Sequence, residues 1–177
     1  GYWRLDDNAP LFAQLMDAHG RGLQPSVLRQ ALAEAPPGTA RLLVMQHLPG
    51  AEWSVDVACE RGHTLAAVAR RKLGTRQRLE ADGPAIVIAR DAVERFRLSG
   101  LVNVQLKGAE PGEADLRLLE INTRISGGLL YTALSGINLP WWAIGNSLRL
   151  IEPSASPIGP SRVVAPVSDA RTVDGGS

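Results

Sequence analysis

The sequence predicts an α+β protein in which helices pack against an antiparallel sheet. Three observations carry this expectation. Two strand-like runs, residues 53–59 and 64–69, flank Arg61-Gly62, a hairpin-type turn that sets its neighbours antiparallel. A second pair, residues 101–107 and 116–121, is joined by the turn Ala109-Glu110-Pro111-Gly112. Helical periods flank these strands, near the N-terminal end and over residues 84–98.

The elements follow in order. Leu11, Phe12, Leu15 and Met16 recur at helical spacing, with Asp6, Asp7 and Asn8 ahead of them as capping residues. Val27, Leu28, Ala31 and Leu32 repeat the period after Pro25-Ser26, and Pro36-Pro37-Gly38 stops that helix. Residues 42–48 form a short apolar run that reads as a strand, ended by Pro49-Gly50. In residues 53–59 side chains alternate, with Trp53, Val55 and Val57 on one face and Ser54, Asp56 and Ala58 on the other. Residues 70–83 are polar, basic and interrupted by glycine, which suits a loop. The 84–98 helix turns Ile86, Val87, Val93 and Phe96 inward and Arg90, Asp91, Glu94 and Arg95 outward. Ser126-Gly127-Gly128 opens an apolar helix through Leu129, Leu130 and Leu134, and Trp141-Trp142 begin another after Pro140. Residues 1–150 read as one domain portion and 151–177 as a Pro-, Ser- and Gly-rich extension, with Val163, Val164 and Val167 available for an edge strand.

Bulk composition excludes several classes. Of 177 residues, 45% are hydrophobic and 21% charged, as in ordinary globular proteins. A formal net charge of +1 gives no electrostatic ground for a nucleic-acid partner. Cys59 is the sole cysteine, so an internal disulfide is excluded. No apolar run nears the roughly 20 residues of a membrane helix, and the first residues lack a signal-peptide pattern, so a cytoplasmic location is expected. The chain starts without Met at Gly1, which is expected to be a truncation or processing point.

The chemistry-bearing segment pairs Gln105 with Glu120-Ile121-Asn122-Thr123-Arg124 and Ser126-Gly127-Gly128. Strand alternation puts Glu120 and Asn122 on one face, and an antiparallel hairpin brings Gln105 beside Glu120. One carboxylate, two amide carbonyls and a guanidinium suit Mg2+ held against phosphates, because Mg2+ takes hard oxygens and leaves positions for phosphate and water. Arg124 can pair bidentately with a phosphate oxygen, and a Gly-rich helix entry offers backbone N–H groups to an anion. A solvated strand face and an ordinary turn share this composition.

The run Leu119-Glu120-Ile121-Asn122-Thr123-Arg124 resembles the Glu-x-Asn-x-Arg signature of the ATP-grasp superfamily. Gln105 sits where that family has its other metal ligand, as in the large subunit of carbamoyl-phosphate synthetase. Many members have proline before the arginine; here it is Thr123. Upstream, residues 43–57, with Gly50-Ala51-Glu52-Trp53-Ser54-Val55-Asp56, resemble the family's hinge strand and its Gly-x-Glu-Tyr-Ser-Val-Asp motif.

The resemblance implies the C-terminal lobe of an ATP-grasp domain, with Gln46, His47 and Leu48 flanking adenine and Glu52 on the ribose. It further implies Gln105, Glu120 and Asn122 as metal ligands, Arg124 on phosphate, and a basic residue from Arg70-Arg71-Lys72, Arg71 being the choice, toward the transferred group. The implied cofactors are ATP and Mg2+, with Mn2+ as an alternative. The implied reaction activates a small-molecule carboxylate as an acyl phosphate for an amine or similar nucleophile. The family's phosphate loop and ATP-binding lysines are expected N-terminal to Gly1. A homo-oligomer or a partner subunit supplying that lobe would complete the site. The competing expectation is a non-catalytic nucleotide-binding or scaffold lobe.

Overall fold

Two short parallel strands, β1 (Arg4–Leu5) and β2 (Gly22–Leu23), begin the chain. They are followed by helix α1 (Pro25–Ala33), whose first turn holds Pro25, where a missing N–H costs no hydrogen bond. The computed structural model describes residues 3–10, 12, 22–39, 41–111, 115–151 and 159–166. The chain divides into two compact units, Gly1–His47 and Leu48–Ser177. Most of the helix expected around Leu11, Leu15 and Met16 lies outside the described residues.

Residues 42–48 do not form the expected strand. Leu42, Leu43, Val44 and Met45 are between 55% and 86% exposed. Apolar composition alone does not make a strand; its N–H and C=O groups need a neighbour, and no described strand pairs with this run.

The second unit is built on a six-stranded sheet of β3 (Glu52–Glu60), β4 (His63–Leu73), β5 (Arg76–Glu80), β6 (Gly100–Gly108), β7 (Leu116–Asn122) and β8 (Arg162–Val164). Its order is β7-β6-β3-β4-β5-β8, and every pairing is antiparallel. Between β3 and β4, Arg61 and Gly62 both take positive φ, 49° and 89°, the twist that a two-residue hairpin requires. The region expected as a loop over residues 70–83 instead extends β4 through Arg70-Arg71-Lys72 and adds β5. Arg76-Gln77-Arg78-Leu79-Glu80 offers only Leu79 to the core, so its strand character comes from pairing rather than from apolar periodicity. The extension supplies the edge strand β8 against β5.

Helix α2 (Pro84–Arg95) covers one face. Ala85, Ile86, Ala89 and Val93 pack on Trp53, Val55, Val57, Ala67, Ala69, Val102, Val104 and Leu106. The alanines let the helix approach closely, while Val87 and Phe96, expected inside, are 55% and 57% exposed. The opposite face carries α3 (Leu129–Thr132), a 3-10 turn (Ala133–Ser135) and α4 (Leu139–Ser147). Ile137, Leu139 and Trp142 pack there on Ala58, Ala66, Val68 and Leu79. Asn138 caps α4 by accepting a hydrogen bond from the Trp141 N–H at 3.0 Å. Among the described residues no helix is long and apolar enough to cross a membrane.

Cys59 lies at the end of β3 with 1% of its surface exposed. Burial, with a smaller contribution from the charge of Glu60, pushes its thiol up from 9.0 to about 11. The thiol therefore stays protonated at neutral pH, and the thiolate is the reactive form. Maleimide labelling is expected to be slow in the folded protein and complete in denaturant. Rapid labelling of the folded protein at pH 7 would show that this end of the sheet opens. Because the folded value is the higher one, the thiol's contribution to stability is full below about pH 9 and is lost as pH rises through 11.

Candidate functional site

Along β3, β4 and β6 the face opposite α2 changes character. Where α4 covers it, it presents Ala58, Ala66, Val68 and Leu101. Beyond that cover the same alternation presents Ser54 and Glu52 on β3, Arg70 and Lys72 on β4, and Asn103 and Gln105 on β6. Strand phase thus converts one sheet face from apolar to polar within a few residues. With Arg124, Ser126, Gly127 and Gly128 from the segment after β7, these six residues line a cleft of about 230 Å3.

The expected metal ligands come together. Gln105 stands opposite Glu120, and Asn103 opposite Asn122, in the β6–β7 register. Directly opposed residues share a face, so Gln105, Glu120 and Asn122 form one polar patch adjoining the cleft. The Asn122 side-chain amide donates to Glu120 Oε1 at 2.8 Å, which commits its nitrogen and leaves its carbonyl oxygen available. A register shift after Gln105 pairs Leu106 with Leu118, so Leu119 is an extra residue on β7. Ile121 still packs against the core under α2.

Among the described residues no group of three or more His, Cys, Asp or Glu side chains gathers. The patch instead has one carboxylate and two amide carbonyls, all hard oxygen donors. This fits a divalent cation whose remaining ligands are phosphate and water, and does not fit a protein-saturated cage.

A buried polar network underlies the cleft. Arg70 is 6% exposed, Asp56 2%, Ser54 7% and Asn103 1%. Arg70 donates from Nε to Asp56 Oδ2 at 2.9 Å, from Nη2 to Ser54 Oγ at 2.8 Å and to Ser126 Oγ at 2.9 Å, and from Nη1 to Gln77 Oε1 at 3.1 Å. Asn103 Nδ2 donates to Ser54 Oγ at 2.8 Å and Asp56 Oδ1 at 2.9 Å. With both lone pairs of Ser54 Oγ taken by donors, its own O–H can only donate.

The other expected residues divide. Arg124 lines the cleft, exposed, with Nη1 donating to the Ile125 carbonyl at 3.2 Å. Glu52 lines it too and accepts from Lys72 Nζ. Arg71 does not join them, a correction to the sequence expectation. It is one residue out of phase with Arg70 and Lys72, so it points to the α2 face, where its guanidinium lies 5.4 Å from the Trp53 ring centroid. Gln46 and His47 are exposed at the end of the first unit, and Leu48 begins the second, 7% exposed.

Sequence reasoning misses Ser54 and Asn103 and, within the basic run 70–72, prefers Arg71 to Arg70. Their signal is the phase of β3: once Trp53 and Val55 face the core, Ser54 and Asp56 face the other way, and so do their cross-strand partners, Arg70 and Gln105 opposite Ser54 and Asn103 opposite Asp56.

No curated protein matches the chain. The family described as "ATP-grasp in the biosynthetic pathway with Ter operon" matches residues 39–170, well over half of the sequence. That stretch contains the whole polar face and its cleft. The chain belongs to the ATP-grasp superfamily, whose domains bind ATP in ligase-type chemistry.

Proposed function

We propose that the chain is the phosphate- and metal-facing part of a ligase that uses ATP to convert a substrate carboxylate into an acyl phosphate for attack by an amine or similar nucleophile. The observation that carries this reading is the single polar face shared by Gln105, Glu120 and Asn122, beside a cleft lined by Arg124 and the Gly127-Gly128 corner. Glu120, Asn122 and Gln105 would hold Mg2+. Bound there, the ion would neutralise charge developing on the transferred phosphoryl group. Arg124 sits within the cleft as a guanidinium able to fork onto phosphate oxygens. Glu52 would accept the ribose hydroxyls of ATP, and Gln46, His47 and Leu48 would flank its adenine. In that state the ribose takes over a carboxylate which Lys72 now holds, freeing the lysine for the phosphates.

Full-length protein supplied with ATP, Mg2+, a panel of carboxylic acids and hydroxylamine as the nucleophile tests the reading. At least one acid is expected to yield hydroxamate and ADP in equal amounts, since hydroxylamine traps acyl phosphates. ADP release that no acid stimulates, with no hydroxamate, would count against acyl-phosphate chemistry. Replacing Glu52 by Gln is expected to raise the ATP KM about tenfold with kcat largely kept, because a ribose contact is present in ground and transition states alike. A fall in kcat at unchanged KM would remove Glu52 from the ribose.

A further inference from the structure

Arg70 is the most connected side chain beneath the cleft, and its geometry argues against its being a free anion receptor. Four of its five N–H groups have acceptors: Asp56, Ser54, Ser126 and Gln77. Asp56 neutralises its charge at 2.9 Å. Three of these partners stand on strands β3 and β5, and the fourth, Ser126, belongs to the segment after β7, 56 residues away in sequence.

A second observation concerns the same segment. A Cβ placed on Gly128 would stand 2.1 Å from Arg70 Nη1 and 2.5 Å from its Cζ. The far end of an arginine normally swings aside at little cost, but this one is buried and tied by four hydrogen bonds. The absence of a side chain at 128 is what lets the backbone lie against the guanidinium.

We infer that Arg70 is a positioning residue: it clamps the Ser126–Gly128 corner onto the sheet, and so fixes the segment that presents Arg124 and the Gly127-Gly128 backbone to the cleft. The role of that segment toward phosphate rests on the function proposed above; the clamp itself does not. The buried Asp56 and Asn103 serve as its foundation, holding the guanidinium plane and Ser54 in one orientation. Arg70 acts without touching the nucleotide.

The corner has its own reporters. The Leu129 N–H donates to the Ser126 carbonyl at 3.2 Å, and the Tyr131 N–H to that of Gly128 at 3.0 Å. Hydrogen exchange at these two amides, measured on the nucleotide-free full-length protein, reads opening of the corner. Ser126→Ala is expected to accelerate both about tenfold, the effect of losing one charge-assisted bond, while amides of β3 and β6 stay unchanged. Ser126→Thr, which keeps the hydroxyl, should restore slow exchange. Gly128→Ala should accelerate the pair in the wild-type background but add little in Arg70→Lys, which keeps the charge beside Asp56 and removes the guanidinium that a Cβ would strike.

Unchanged exchange in both Ser126→Ala and Gly128→Ala would overturn the clamp. So would a titration with inorganic phosphate that slows exchange in the wild type and not in Arg70→Lys, because Arg70 would then be a ligand group. If the clamp results hold and the ligase assay fails, the functional reading falls while the positioning role stands.

Discussion

Replacing Glu120 by Gln in the full-length protein is expected to lower kcat roughly 100- to 1,000-fold, with the fold intact. The reasoning separates charge from shape. Glu120 is an exposed side chain on the edge strand β7, and its hydrogen-bonded partner is the Asn122 amide at 2.8 Å. A Gln side-chain oxygen accepts that bond equally well, so stability should change by no more than about 0.5 kcal/mol, as for other exposed positions. What Gln lacks is the negative charge. In a patch whose other expected donors, Gln105 and Asn122, are neutral amides, Glu120 is the only anion. The loss should fall on the chemical step, because charge on the transferred phosphoryl group grows toward the transition state. Steady-state kinetics at saturating ATP and Mg2+, alongside a thermal melt, decides the matter. Near-wild-type kcat would show that Glu120 holds no catalytic ion, and that the Glu-x-Asn-x-Arg match marks a solvated strand edge.

The Glu52→Gln substitution provides the internal contrast. Both changes are isosteric and both remove one carboxylate from the same sheet face. If the two positions have the proposed roles, one variant alters kcat and the other the ATP KM. If both produced the same pattern, the polar face would be acting as a diffuse electrostatic surface rather than as separate sites.

The two hairpins were legible in the sequence, because the Arg61-Gly62 turn sets β4 against β3 and the short turn near residue 110 sets β7 against β6. The approach of Gln105 to Glu120 followed from that. Two features were not legible. The strand β5 has only one core-facing residue, so periodicity does not reveal it, and without a β5 partner β4 is expected to end too early. The consequence extends to the site: residues in a loop have no strand phase, so Arg71 cannot be distinguished there from Arg70 and Lys72. The apolar run 42–48 erred in the other direction. Its composition suits a strand, but strand formation is a property of a pair, and composition carries no information about whether a partner is present.

Two ion pairs on β3 and β4 now permit a comparison with a large expected difference. Arg70→Met is expected to destabilise the protein by about 3–5 kcal/mol, whereas Lys72→Met should cost about 0–1 kcal/mol. The two pairs join the same strands on the same face. Lys72 and Glu52 have side chains 52% and 30% exposed, so either left alone is hydrated, and the bond gains little over water. Arg70 and Asp56 are 7% and 2% exposed at the side chain. Removing Arg70 leaves Asp56 with the Asn103 amide as its remaining side-chain donor, and strips Ser54, Gln77 and Ser126 of one donor each. The cost is that of a charge left buried, and it is not the net worth of the pair. Replacing both members with apolar side chains, Asp56→Leu with Arg70→Met, should therefore recover part of the loss. Urea unfolding of the wild type and these three variants measures this through the midpoint at constant m. A loss below about 1 kcal/mol in Arg70→Met would mean that water reaches Asp56 in the folded protein. No recovery in the double variant would place the stabilisation in the hydrogen bonds to Ser54, Gln77 and Ser126 instead of in the buried charges.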